Sequence, residues 1–186
     1  MAKLIYFMPT SLDGYIADEP GPYDWSGPDD EVFAFINDVE RPIGMHLYGR
    51  KMYETMAIWE TPDVIPGLTP VGLDFARIWQ VTDKIVYSKS LETVSTPKTR
   101  LEREFDLRAV RELKAQLPKD VSVGGPTLAA HAIRTGLVDE YHLFVVPMMI
   151  GGGKRVLPSN VCVTLDLLDE RRFANGMVYL RYRTQA

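Results

Sequence analysis

A single cysteine, Cys162, leaves this 186-residue chain no internal disulfide. It stands in the apolar, β-branched run Val161 to Leu168, so it is expected as a small buried strand residue rather than a nucleophile. Histidine is nearly as scarce: His46, His131 and His142 lie too far apart for metal-ligand spacing, no metal is expected, and each reads as a packed or surface group. Positive charge is not in excess, since 21 Lys and Arg stand against 25 Asp and Glu. The formal net charge of −4 argues against nucleic acid or an anionic membrane surface as a partner. No apolar run approaches the roughly 18 residues of a membrane span, and Met1 to Met8 is too short for a secretory signal, so a cytoplasmic chain is expected. No G-x-G-x-x-G follows an apolar strand, which excludes an ordinary Rossmann fingerprint. Gly151-Gly152-Gly153-Lys154 lacks the Ser or Thr of a phosphate loop, because Arg155 stands there, and reads as a flexible loop bordering a site. What remains is a single globular domain, residues 1–186, with a small molecule as its partner.

The elements that are present alternate. Leu4 to Met8 reads as a buried strand, followed through Pro28 by a long Pro- and Gly-rich loop. Ser26 and Asp29 suggest a capping box for a helix carrying Val32, Phe33, Phe35, Ile36 and Val39. Strands are expected at Ile43–Tyr48, Lys84–Tyr87, Val121–Val123 and Tyr141–Pro147, and helices at Arg50–Ile58, Leu73–Gln80, Leu107–Leu117 and Thr127–Arg134. Two last runs, Val161–Leu168 and Met177–Tyr182, meet around Asn175-Gly176 as a hairpin. The alternating signs of Arg100 to Arg111 read as a solvated face. The sum is an α/β fold with a mixed, mostly parallel sheet and a C-terminal antiparallel hairpin.

Two junctions share one design, an apolar strand running through glycine into a helix. They are Gly49-Arg50-Lys51 and Gly124-Gly125-Pro126-Thr127, and the free N–H groups of a first helical turn attract anions. Together they could hold the two ends of one dinucleotide. Arg50, Lys51 and the pair Ser88-Lys89 add donors where a further phosphate would lie, which favours NADPH over NADH. Asp13 follows the first strand, and Asp29, Asp30 and Glu31 open the first helix, so both groups could face the mouth of a cleft. Tyr15, Trp25, Tyr53 and Trp59 could supply a flat wall for a heterocycle.

Ser11-Leu12-Asp13-Gly14-Tyr15-Ile16-Ala17, Tyr48-Gly49-Arg50-Lys51-Met52-Tyr53-Glu54 and Gly124-Gly125-Pro126-Thr127-Leu128 through Gly136-Leu137-Val138-Asp139-Glu140 resemble, in order, the motifs of the dihydrofolate reductase-like superfamily. The resemblance is to the branch of the riboflavin-biosynthesis reductase, the RibD C-terminal domain, including its stand-alone members. It implies a three-layer fold around an eight-stranded mixed sheet, NADPH as cofactor, and hydride transfer to a C=N or C=O bond of a small pteridine- or pyrimidine-like substrate. Gly49, Arg50, Lys51, Met52, Ser88, Lys89, Gly124, Gly125, Pro126, Thr127 and Leu128 would then contact the cofactor. Asp13 would lie by the nicotinamide and the substrate, with Asp30 in the place of a pterin-binding carboxylate. A homodimer through Tyr141–Ile150 and the terminal hairpin is also implied. The chain departs from that branch at Leu68-Thr69-Pro70, where a D-x-P-x-L-T-x-R segment is absent, and at Val123, where glutamate is frequent. Two other readings of the same junctions are a nucleotide-binding sensor without catalysis and a flavin-binding module.

Overall fold

The computed structural model describes residues 1–17 and 27–185. The chain runs through β1 (Leu4–Ser11), β2 (Tyr15–Ala17), α1 (Asp30–Glu40), β3 (Ile43–Gly49) and α2 (Arg50–Met56). Two 3-10 turns, Ala57–Glu60 and Pro62–Val64, lead to α3 (Pro70–Val81), β4 (Asp83–Tyr87), β5 (Thr99–Glu102) and α4 (Leu107–Gln116). Then follow β6 (Asp120–Gly124), α5 (Pro126–Arg134), β7 (Glu140–Val146), β8 (Lys154–Arg155), β9 (Leu165–Arg172) and β10 (Val178–Thr184). Side-chain oxygens start three of the helices: Asp29 accepts from Val32 N–H, Thr69 from Gly72 N–H and Asp106 from Arg108 N–H. Pro70 and Pro126 occupy first-turn positions, where the missing N–H costs nothing, and Gly136 ends α5 at φ +65°.

The eight-stranded sheet has the order β5-β4-β3-β6-β1-β7-β10-β9. Its first six strands are parallel, and β10 pairs antiparallel with both β7 and β9. Alternation along the central strands feeds two cores. Leu4, Tyr6, Leu47, Val121 and Val123 pack with Val110 of α4 and with Leu128, Ala129, Ala132 and Ile133 of α5. On the other face Tyr48 and Val86 meet Phe75 and Trp79 of α3, while Phe144, Phe173 and Tyr179 surround Val32 of α1. Each large apolar side chain removed from water in this way contributes about 1.5–3 kcal/mol, so both faces need their helices. The result is the expected three-layer α/β arrangement with a C-terminal hairpin, plus a small antiparallel pair, β2 with β8.

Several local expectations are corrected. Cys162 is exposed and lies ahead of β9, because pairing with β10 begins only at Leu165. The charged run after Lys98 contains an edge strand, β5, which pairs on one side with β4 and needs no apolar alternation. Helix α1 is capped by Asp29 itself; Ser26, the loop around Pro20 and Pro22, and Trp25 lie outside the described residues. No helix among the described residues is long and apolar enough to cross a membrane.

Candidate active site

The carboxyl ends of β3, β4 and β6 open onto a cleft of about 1460 Å³. Gly49, Arg50, Lys51 and Met52 form one wall, Ser88, Lys89 and Arg103 the far end, and Gly125, Pro126, Thr127 and Leu128 the opposite wall. Helix α5 begins at Gly125 with φ +88° and no side chain capping it, so its first-turn N–H groups and the positive end of its dipole face the cleft. A side chain at Gly125 would also meet Met52 Cβ at 3.2 Å. Arg50 is held by Glu54 at 2.7 Å and by Ser90 at 3.1 Å, which aims its guanidinium along the rim. Arg103 donates to the carbonyls of Ser88 and Leu91, and Lys154 donates to Thr127 Oγ1. Five Lys and Arg therefore line the cleft against Glu54 and Glu104. That donor set suits an extended ligand with several phosphates.

A second, apolar cavity of about 300 Å³ lies between the sheet and α1, α2 and α3. Phe33, Trp59 and Phe75 form an aromatic wall, with Phe33 and Phe75 stacked at 5.2 Å and Trp59 edge-on to Phe75 at 4.7 Å. Its floor is polar. There Glu40 of α1, His46 of β3 and Ser122 of β6 come together, with His46 Nδ1 2.7 Å from Ser122 Oγ. Burial pushes the Glu40 carboxyl up to about 8, and burial with the charge of Lys84 holds the His46 ring down at about 3. Both are thus neutral near pH 7. Met52 and Thr55, one turn of α2, border the cleft and the cavity alike.

Ten of the eleven residues expected at a cofactor line the basic cleft; Gly124 lines the cavity instead, where a Cβ would meet the Tyr48 ring at 2.8 Å. The two expected carboxylates stand apart from both spaces. Asp30 accepts from the Thr69 hydroxyl at 2.8 Å and joins α1 to the start of α3, while Phe33, Ile36 and Glu40 of the same helix line the cavity. Asp13 accepts from Ser11 Oγ at 2.6 Å, from Gly151 N–H at 2.7 Å and from Ile150 N–H at 3.2 Å. These bonds, Ser11 first, hold its carboxyl below the usual value, so it is an ionised clamp on the glycine loop. Tyr15 and Tyr53 do not line the cavity either: Tyr15 stacks near Arg155, and Tyr53 hydrogen-bonds the turn at Ser95 and Thr96. Sequence reasoning missed Glu40 and Arg103, while Lys154 belongs to the glycine loop that it placed at the border of a site. For Glu40 a signal existed, since it continues the stripe of Phe33 and Ile36 with a carboxylate where an apolar residue belongs.

The profile of the RibD C-terminal domain family matches residues 2–179, nearly the whole chain. The chain belongs to the RibD C-terminal domain family. It is 27% identical over 190 residues to the uncharacterized protein YyaP of Bacillus subtilis (strain 168), covering 97% of this chain and 94% of that one. Among solved structures, a protein from Shewanella sp. PV-4 described under riboflavin biosynthesis superposes with a TM-score of 0.76 at 18% identity, each chain fully covered. A pyrimidine reductase-like protein of Corynebacterium diphtheriae gives 0.66 at 16% identity, covering all of this chain and 92% of that one. The diaminohydroxyphosphoribosylaminopyrimidine deaminase/5-amino-6-(5-phosphoribosylamino)uracil reductase of Thermotoga maritima gives 0.67 at 16% identity, over 99% of this chain and 57% of that one. At such identities the likeness is one of fold, that of RibD-like reductases within the dihydrofolate reductase-like superfamily. Family members of this kind use NADPH, and the basic, glycine-edged cleft with an uncapped α5 is chemically suited to that group.

Proposed function

We propose that this RibD C-terminal domain protein is an NADPH-dependent reductase that takes a small pteridine- or pyrimidine-like heterocycle in the apolar cavity and reduces a C=N or C=O bond in it. The observation that carries this reading is the meeting of a basic, phosphate-suited cleft with an apolar cavity along one helical turn, Met52 and Thr55. The bound cofactor would supply the hydride. The protein's own residues do the rest: Arg50, Lys51, Lys89 and Arg103 neutralise phosphate charge, and the glycine at 125 lets backbone N–H groups approach it. Phe33, Trp59 and Phe75 exclude water and hold a flat ring against the sheet. Family membership, and the shared fold with the pyrimidine reductase-like protein and the uracil reductase, support the reading.

Isothermal titration of the purified protein with NADPH, NADH and FMN tests it. NADPH is expected to bind in the micromolar range, at least tenfold more tightly than NADH, with the preference lost in Arg50→Ala, because a charged hydrogen bond is worth about 1.5–3 kcal/mol. Absence of NADPH binding, or binding that Arg50→Ala leaves unchanged, refutes the assignment.

A further inference from the structure

Lys154 stands at the wrong end of a helix. Its ammonium donates to Thr127 Oγ1 in the first turn of α5, and among the described residues that hydroxyl is its one partner. The first turn carries the positive end of the helix dipole, which disfavours a cation, while His131 and Arg134 sit in the last turn, where positive charge belongs. Other cations of the cleft differ, since Arg50 is paired with Glu54 and Lys89 with Glu104. Two positive groups, the ammonium and the uncapped N–H groups of α5, thus meet on one stretch of the cleft wall.

The reach of Lys154 is set by the loop that carries it. Gly151 at φ +76° and Gly153 at φ +114° turn the chain back after β7, in a backbone that residues with side chains rarely adopt. Asp13 spans that turn: Oδ2 accepts from Gly151 N–H at 2.7 Å and Oδ1 from Ile150 N–H at 3.2 Å, while Ser11 Oγ donates to Oδ1 at 2.6 Å. On the other side of the loop Lys154 pairs with Ala17, and Val156 N–H donates to the Gly14 carbonyl at 3.0 Å. The loop is therefore pinned on both sides by residues 13 to 17, of which Ile16 lines the same cleft. The backbone of Lys154 is fixed, whereas its side chain and that of Thr127 are exposed. Their hydrogen bond can be exchanged for one to a phosphate oxygen, a stronger acceptor than a neutral hydroxyl.

We propose that the glycine loop is a wall of the cofactor cleft: Lys154 and the first turn of α5 clasp one pyrophosphate between them, and Asp13 is the positioning residue that holds the loop where this requires it. The assignment rests on reading the cleft as the cofactor site. The pyrophosphate is the anion common to NADPH and NADH, whereas Arg50 and Lys89 line other parts of the cleft and are left for the further phosphate of NADPH. Lys154 therefore serves affinity for both nucleotides, and Arg50 the choice between them. Asp13 touches no ligand; its carboxylate acts through Lys154.

The test is isothermal titration of NADPH and NADH, at low ionic strength, into the wild type, Lys154→Met, Asp13→Asn and the double variant, with folding checked by circular dichroism. Lys154→Met keeps the stem and removes the charge. It should weaken both nucleotides by the same factor, about tenfold or more, and leave the preference for NADPH intact. Asp13→Asn turns an acceptor into a donor that faces an N–H, and should weaken both by about threefold to tenfold. The double variant should bind no more weakly than Lys154→Met alone, because a residue that acts through Lys154 then has nothing to act on. An Asp13 that only stabilises the fold would add its loss to that of Lys154→Met. Unchanged NADPH binding in Lys154→Met, a loss confined to NADPH, or additive losses in the double variant each overturns the proposal, while NADPH binding by the wild type in those cases keeps the reductase reading. No binding of either nucleotide by the wild type removes both.

Discussion

Replacing Glu40 by glutamine should change how the stability of the fold depends on pH, and the size of the change follows from the site. Folded Glu40 keeps its proton to about pH 8, whereas an unfolded glutamate releases it near 4.5. Between those values the folded state binds more protons, so stability falls as pH rises, by about 1.4 kcal/mol per unit for one group. His46 acts in the opposite sense. It is neutral in the folded state down to about 3 but takes up a proton near 6.5 when unfolded, so its contribution to stability rises with pH between those limits. From 4.5 to 6.5 the two slopes cancel, and the lowered values of His142 and Glu140 also act on the acid side. The interval from 6.5 to 8 is left to Glu40, with a loss of about 2 kcal/mol. Above about 8 folded Lys84 has lost its proton while the unfolded lysine keeps it to 10.5, so stability rises again. Urea unfolding at half-unit steps from pH 6 to 9.5 should thus show a minimum near 8 in the wild type. In Glu40→Gln the curve should be flat from 6.5 to 8, with the alkaline rise retained. Parallel curves for the two proteins would refute the protonated, buried state of Glu40.

Two further outcomes follow from the backbone around the cleft. Gly125→Ala places a Cβ on a residue at φ +88° and 3.2 Å from Met52, so thermal unfolding should show a loss of about 1–3 kcal/mol together with weaker NADPH binding; a neutral effect on both would mean that α5 tolerates another start. Asp13→Ala removes the acceptor of the Gly151 and Ile150 N–H groups, so hydrogen exchange at those two amides should accelerate while β1 stays protected, and unchanged protection would remove the clamp.

The sheet was legible because its central strands are buried on both faces and read as apolar runs, and because Asp106, Pro126 and Gly136 mark helix ends through local chemistry. The edge was not. Thr99–Glu102 carries charge on its outward side, so β5 resembles any solvated segment until β4 is beside it. Cys162 misled for the reverse reason, as its apolar neighbours precede the paired part of β9. The cleft was visible in sequence because each glycine junction is complete within a few residues. The cavity is not local: Phe33, His46, Phe75 and Ser122 come from four elements, and no short window contains them. Asp13 shows the same limit, since its partner Gly151 is 138 residues away and only the fold reveals that its carboxylate is already engaged.

Helix α2 is only seven residues long, and one of its turns is a partition with a different ligand chemistry on each side. Met52 is unbranched and adaptable, so an occupant that presses on the partition from one side changes the shape offered on the other. Whatever factor the first ligand imposes on the affinity of the second, the second must return to the first. Under the proposed function, order of addition would therefore be a matter of kinetics alone, and the two affinities measured separately would not multiply to that of a ternary complex unless that turn stays rigid.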